Sequence, residues 1–183
     1  ARFYSCLRLQ NGTIWRWVRP IVGFDPDGTP HVRIEQRVLP AGPTVRDMMA
    51  NAALYFGAVH MLARDLDDAE SMLPFALVRE NFYEAARLGL DAKVHWLSGK
   101  GKRAIRDVLS DLIPLAAEGL AAQGMDDDLI NHYLNIISLR LACGRNGAEW
   151  QLAHFNRHGD LRKLTAAYLE NQRTGRPVHE WLL

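Results

Sequence analysis

At Pro40-Ala41-Gly42-Pro43 the hydrophobic pattern of the chain changes period, and this change limits the possible folds more than any other feature. Ahead of it, Thr13 to Arg19 (TIWRWVR) and His31 to Leu39 (HVRIEQRVL) are rich in β-branched and aromatic residues, as strands are. The intervening GFDPDGTP holds Asp27-Gly28, which supplies positive-φ turn chemistry, and prolines that a central strand excludes. An antiparallel hairpin with a longish loop is expected. Beyond the break, Thr44 is placed to cap a helix with Asp47 three residues on. Val45, Met48, Met49, Ala52, Phe56 and Val59 then follow helical spacing to about Ala63 or Arg64.

Further helices fit Pro74 to about Leu88, Lys102 to Gln123, Asp126 to Cys143, Glu149 to Arg157 and Asp160 to Arg173. Pro114 is expected to kink or divide the second of these. Three aspartates open the third, where a helix N-terminus favours negative charge, and Gly144 closes it. LGLDAKVHWLSGKGK is expected to be an extended or irregular connection that buries Val94, Trp96 and Leu97. The fold class is therefore α+β and mainly helical, with an antiparallel β-hairpin over 1–40 and a helical bundle over 44–183.

The 183 residues carry 22 Lys+Arg against 21 Asp+Glu, and 48% are apolar. That apolar content excludes disorder, while no apolar run approaches the roughly 20 residues of a membrane span. A soluble protein is expected. Cys6 and Cys143 have no partner at metal or redox spacing, which points to a reducing compartment and a cytoplasmic location. ARFYSCLRLQ lacks the apolar core of a secretory signal, and the absence of an initiator Met points to a processed chain or a fragment.

Charge is distributed unevenly. Residues 1–40 hold six Arg and no Lys against three acids, and Arg suits planar, bidentate contacts to carboxylate or phosphate. On a strand, Arg33, Glu35 and Arg37 project from one face, about 7 Å apart at roughly 3.3 Å per residue, while Val32, Ile34 and Val38 face the other way into a core. A carboxylate between two guanidiniums suits a polyanion plus a divalent metal: Glu35 would bind the metal, and Arg33 and Arg37 would neutralise transferring charge. The same pattern also fits an exposed strand with cross-strand salt bridges. Arg16 and Arg19 lie on opposite faces of the first strand, so at most one joins this charged face without a bulge.

Other chemistry is sparse. Trp15-Arg16-Trp17 has the makings of a nucleic-acid stacking platform, but a nearly neutral chain with no basic stripe argues against it, and sheet packing is the default for the two Trp. The seven His form no HExxH pair; His154 and His158 fit a helix end, and His60 a hydrogen-bonded core position. Gly144-Arg145-Asn146-Gly147 reads as a C-cap and turn, or as a basic loop touching a ligand. No GxSxG, P-loop or dinucleotide fingerprint is present.

At HVRIEQRVLPAGPTVRDMMANAALYFGAVHMLA the sequence resembles the glutamate–cysteine ligase type 2 family, the carboxylate–amine ligases of the glutamine synthetase superfamily. That family shows a strand with an R-x-E-x-R or I-E-x-R pattern, a Pro-containing turn and a long Ala-rich helix. Here Ile34-Glu35-Gln36-Arg37, Pro40/Pro43 and Val45 to Ala63 stand in that order. NGTIWRW, GAEWQ and GDLRKLTAAYLENQRTGRPVHEW are similar to the C-terminal half of bacterial members, so the likeness runs along nearly all of the chain.

The resemblance implies an ATP- and Mg²⁺-dependent ligase that joins glutamate to an amine such as cysteine through an acyl phosphate, in glutathione biosynthesis. It implies Glu35 as a metal ligand, Arg37 on phosphate or substrate carboxylate, Arg33 as a neighbour, and Arg16 and Arg19 as further anion contacts. The hairpin would belong to a glutamine synthetase-like catalytic sheet, with residues 1–183 either a single domain or the C-terminal part of a larger catalytic one. Family enzymes are about twice as long, and their nucleotide site and most metal-binding carboxylates lie in the N-terminal half. This chain alone is therefore expected to be inactive, with that half, or a second copy in a homo-oligomer, as partner. The alternative is a non-catalytic helical binding or oligomerisation module derived from the family.

Overall fold

The computed structural model describes residues 18–38, 42–97 and 101–183, and it is mainly helical with an N-terminal antiparallel hairpin. The chain divides into two compact units, 1–41 and 42–183. In the first, β1 (Val18–Phe24) pairs antiparallel with β2 (Pro30–Gln36). Asp25 N–H bonds Thr29 O at 2.9 Å and Gly28 N–H bonds Asp25 O at 2.8 Å, with Gly28 at φ 86°, so Asp27-Gly28 does make the turn. Val18 and Arg19 of TIWRWVR lie in the first strand, whose pairing continues through Pro20 to Phe24, while 13–17 fall outside the described residues. Pro20 and Pro30 are tolerated because, among the described residues, this sheet has two strands and each is an edge.

The first helix of the second unit is capped by Thr44, whose hydroxyl accepts from Asp47 N–H while the Asp47 carboxylate accepts from Thr44 N–H, a reciprocal cap. α1 (Val45–Asp65) follows, then a short α2 (Ala69–Met72) and α3 (Phe75–Leu88). The connection expected to be extended or irregular contains an extended β3 (Lys93–His95), which pairs with β4 (Lys102–Ala104), so the next helix starts at Ile105 rather than Lys102. Asn81 clamps β3 to α3, donating to His95 O and accepting from His95 N–H, each at 2.7 Å. Val94 is buried there, but Trp96 and Leu97 are half-buried.

α4 (Ile105–Ala122) runs unbroken through Pro114 rather than dividing. Packing on both sides of the proline holds it: Val108 sits with Ala92 and Val94, and Ala116 and Leu120 pack on Ala53 and Ala58 of α1. α5 (Asp127–Cys143), α6 (Gly147–His158) and α7 (Leu161–Thr174) are each N-capped by a side chain, from Asp126, Asn146 and Asp160, and each ends on a glycine with positive φ. Gly144-Arg145-Asn146 is thus a C-cap joined to an N-cap. Among the described residues no helix is long and apolar enough to cross a membrane.

The core of this unit is set by close approach. A Cβ on Gly57 would overlap the backbone of Ala116, and one on Gly119 would overlap the backbone of Gly57, so α1 and α4 touch backbone to backbone. The buried face of α1 is accordingly small: Ala50, Ala53, Gly57 and Ala58, with Met61. The larger residues that carried its helical spacing, Val45, Met48, Met49, Phe56 and Val59, lie on exposed positions instead. A separate aromatic cluster of Trp150 and Trp181 with Val178 pins the C-terminal segment, where Trp150 Nε1–H donates to Leu182 O and Trp181 Nε1–H to Arg176 O.

Candidate functional site

The hairpin register places Arg19 directly opposite Glu35 and Ile21 opposite Arg33. Directly opposed residues share a face, and alternate residues along a strand share it too, so Arg19, Arg33, Glu35 and Arg37 occupy one side of the hairpin. Arg19 Nε donates to Glu35 Oε2 at 2.6 Å, and Arg37 Nε stands 3.9 Å from the same oxygen. One carboxylate therefore sits between two guanidiniums, one from each side of the turn. All three side chains are about a third exposed or less, 26% for each Arg and 35% for Glu35, so the cluster is shielded yet reachable.

Of the two cations left open by strand alternation, Arg19 joins the charged face. Arg16, like Trp15 and Trp17, lies outside the described residues. Arg33 shares the face but is exposed, two residues further from the Arg19 pair. The opposite face does not form the expected core: Val32 is 56% and Ile34 61% exposed, with Val38 half-buried. The two strands among the described residues have too little area to bury a face by themselves; a third layer or further strands are needed.

These donors fit part of a magnesium–nucleotide site. Magnesium binds through one or two carboxylates together with substrate phosphates and water, and Glu35 offers one such carboxylate beside two guanidiniums, a group suited to phosphate. Among the described residues no group of three His, Cys, Asp or Glu side chains stands ready to hold a metal ion. Any further carboxylate ligand must come from elsewhere.

A second carboxylate–guanidinium site was not visible along the sequence as such. Asp47, fully buried, accepts from Arg140 Nε at 3.1 Å and from Arg140 Nη2, from Thr44 Oγ1 at 2.7 Å, and from Val178 N–H at 3.2 Å. Arg140 also donates to Asn51 Oδ1 through Nη1 and to Asp47 O through Nη2, so all three of its nitrogens are engaged. The one signal that could have found it, which sequence reasoning missed, is the lone Arg in the apolar run IISLRLAC. Every oxygen here is occupied by the protein itself, so this site ties α1, α5 and the C-terminal segment together and offers nothing to a substrate.

The histidines divide by environment. His60 is half-buried and its Nδ1 lies 2.5 Å from Gln123 Nε2, in keeping with a hydrogen-bonded position. His154, read as a helix-end residue, is instead buried against Trp150, with Nδ1 unpartnered among the described residues. Burial lowers its pKa below the usual value, and the neighbouring His158 and Arg157 push the same way.

Comparison with known proteins covers nearly the whole chain. The model of glutamate-cysteine ligase family 2 matches residues 7–167. A protein of Frankia alni named "Putative glutamate--cysteine ligase 2-1" is 32% identical over 90% of this chain and 41% of its own length. A protein of the same name from Frankia casuarinae is 31% identical over the same shares, and "Putative glutamate--cysteine ligase 2" of Trichormus variabilis is 30% identical over 46% of this chain and 23% of its own length. The chain thus spans about two-fifths of the Frankia relatives, in their C-terminal part. No solved structure matches. With the I-E-x-R strand, the Pro-containing turn and the long Ala-rich helix all inside the matched stretch, the chain belongs to glutamate–cysteine ligase family 2.

Proposed function

We propose that this chain is the C-terminal part of an ATP- and Mg²⁺-dependent carboxylate–amine ligase that joins glutamate to an amine such as cysteine, in the cytoplasmic synthesis of glutathione. The observation that carries the reading is Glu35 held between Arg19 and Arg37 on one hairpin face, inside the matched stretch. In the first step a γ-carboxylate oxygen of glutamate attacks the γ-phosphorus of ATP, the bond to the bridging oxygen breaks, and ADP leaves with that electron pair. In the second the amine nitrogen attacks the acyl carbon, the carbon–oxygen bond to phosphate breaks, and the amine gives up a proton.

Negative charge builds on phosphoryl oxygens in both steps. Arg37 and Arg19, with Arg33 beside them, hold those oxygens, which is where preorganised cations lower a phosphoryl-transfer barrier. Glu35 keeps the two guanidiniums aligned in the free protein and supplies a carboxylate oxygen for Mg²⁺. Bound Mg²⁺ contributes Lewis-acid neutralisation of the phosphate oxygens. The 183-residue chain by itself holds one wall of such a site and is inactive alone.

The test is ATP turnover with glutamate, cysteine and Mg²⁺, measured on the natural cellular form of the protein and on its Glu35→Gln variant. Amine-dependent turnover that falls at least about 100-fold in the variant is expected. Unchanged turnover in Glu35→Gln removes Glu35 from the reaction. Steady turnover by the isolated 183-residue chain overturns its reading as one part of the site.

A further inference from the structure

α1 is apolar on both sides. From Met48 to Ala63 it carries no Lys, Arg, Asp or Glu. The polar side chains in that stretch are largely engaged, Asn51 with Arg140 and His60 with Gln123. Its inner face packs on α4 through alanines and glycine. Its outer stripe leaves Val45 68%, Met49 45%, Phe56 65% and Val59 41% exposed. A helix that is hydrophobic all round belongs in the interior of a larger body, because water gains nothing from either face.

The exposed stripe is also concave. With Leu120, Met125 and Tyr133 opposite, Met49, Phe56 and Val59 line a groove of about 560 Å³. Val59 and Ala63 also line a second groove of about 420 Å³ that continues past Leu66 and Val78 to Trp96. The two share a wall and extend the apolar surface along the whole C-terminal half of α1. Beyond it, α3 has no buried residue, and its Phe75 is 79% and Tyr83 66% exposed. Contiguous apolar surface of this kind marks an interaction site.

What covers it is indicated by chain length. The match falls in the C-terminal part of the relatives, so about three-fifths of each Frankia protein lies outside it. Independently, no further strand covers Val32 and Ile34 of the hairpin among the described residues. We propose that the outer face of α1, from Val45 to Ala63, is the seat of the N-terminal portion that the longer family members carry, which lays an uncharged, apolar layer of its own secondary structure into these grooves. The interface is one of hydrophobic burial, with His60 and Gln123 at its polar margin. This inference rests on family membership and the uncovered face, not on the ligase chemistry, and its test involves no turnover.

The experiment is cysteine labelling by a maleimide in two intact proteins. In the 183-residue chain, Phe56→Cys and Met49→Cys are made separately; both sites are exposed, so either variant keeps the fold, and Leu161→Cys, on an exposed position of α7, is the control. The positions aligned with Phe56, Met49 and Leu161 are changed to Cys in the full-length Frankia alni relative, and sites are resolved by peptide mass. Labelling at 56 and 49 at least 100-fold slower in the relative than in the 183-residue chain, with the control equal in both, is expected. Equal rates at 56 and 49 overturn the proposal. Slow labelling in the 183-residue chain itself also overturns it: sedimentation as a dimer would then assign the face to a second copy, and as a monomer to another part of the same chain.

Discussion

Each unit pairs a carboxylate with guanidinium groups, and the two pairs live in opposite surroundings. Glu35 is about a third exposed and shared between Arg19 and Arg37, whereas Asp47 is fully buried and saturated by Arg140, Thr44 and a backbone N–H from Val178. An exposed pair is worth little to stability and exchanges readily for a ligand. A buried, fully hydrogen-bonded pair is costly to break, because the surviving charge is left without compensation. The same chemistry thus serves architecture where water does not reach it and, under the proposed function, recognition where water does. The surrounding packing follows suit, since the helical unit closes backbone to backbone at Gly57 while the hairpin leaves Val32 and Ile34 open.

The largest expected effect tests how tightly the helical unit is closed. Gly57→Val places a branched side chain against the Ala116 backbone, which cannot move aside without separating α1 from α4, so a loss of more than about 4 kcal/mol is expected in urea unfolding. An ordinary melt would show that the helices do not touch there. Next, Asp47→Ala should cost about 3–5 kcal/mol, because Arg140 is then buried unpaired. The matching change in the hairpin, Glu35→Ala, should cost less than about 1 kcal/mol, and equal losses at the two positions would break the contrast outright.

The smallest effect concerns pH. His154 is buried neutral, with its pKa lowered by burial and by His158 and Arg157, whereas the unfolded chain binds a proton near the ordinary value of about 6.5. Below that value the unfolded state therefore binds more protons, and stability falls with pH until the folded His154 titrates as well. His154→Phe, which keeps an aromatic ring against Trp150, should flatten this part of the decline between pH 7.5 and 5. An unaltered pH slope in that variant would show that His154 is already solvated.

Much of the helical unit was legible because its signals are local. Thr44-x-x-Asp47, the aspartates at 126–128 and the glycines at 144, 159 and 175 act within a turn of where they stand, and the helices begin and end on them. The candidate site was half legible: strand alternation puts Arg33, Glu35 and Arg37 on one face without knowledge of the partner strand. That Arg19 joins them depended on register, which the turn decides. The outer stripe of α1 misled for a related reason, since periodicity reveals that a helix has an apolar face and is silent on which neighbour claims it.

By itself the sequence determined the class, the long helices with their capped ends and the family, since each follows from residues near one another or from a linear motif. Only the tertiary structure decided that Arg19 meets Glu35 and that Asp47 meets Arg140, 93 residues away. It also decided that Gly57 and Gly119 are crossing points rather than weak spots in their helices. These depend on which surfaces come together, and that choice is made by the sum of many small packing energies that no single stretch of the chain carries.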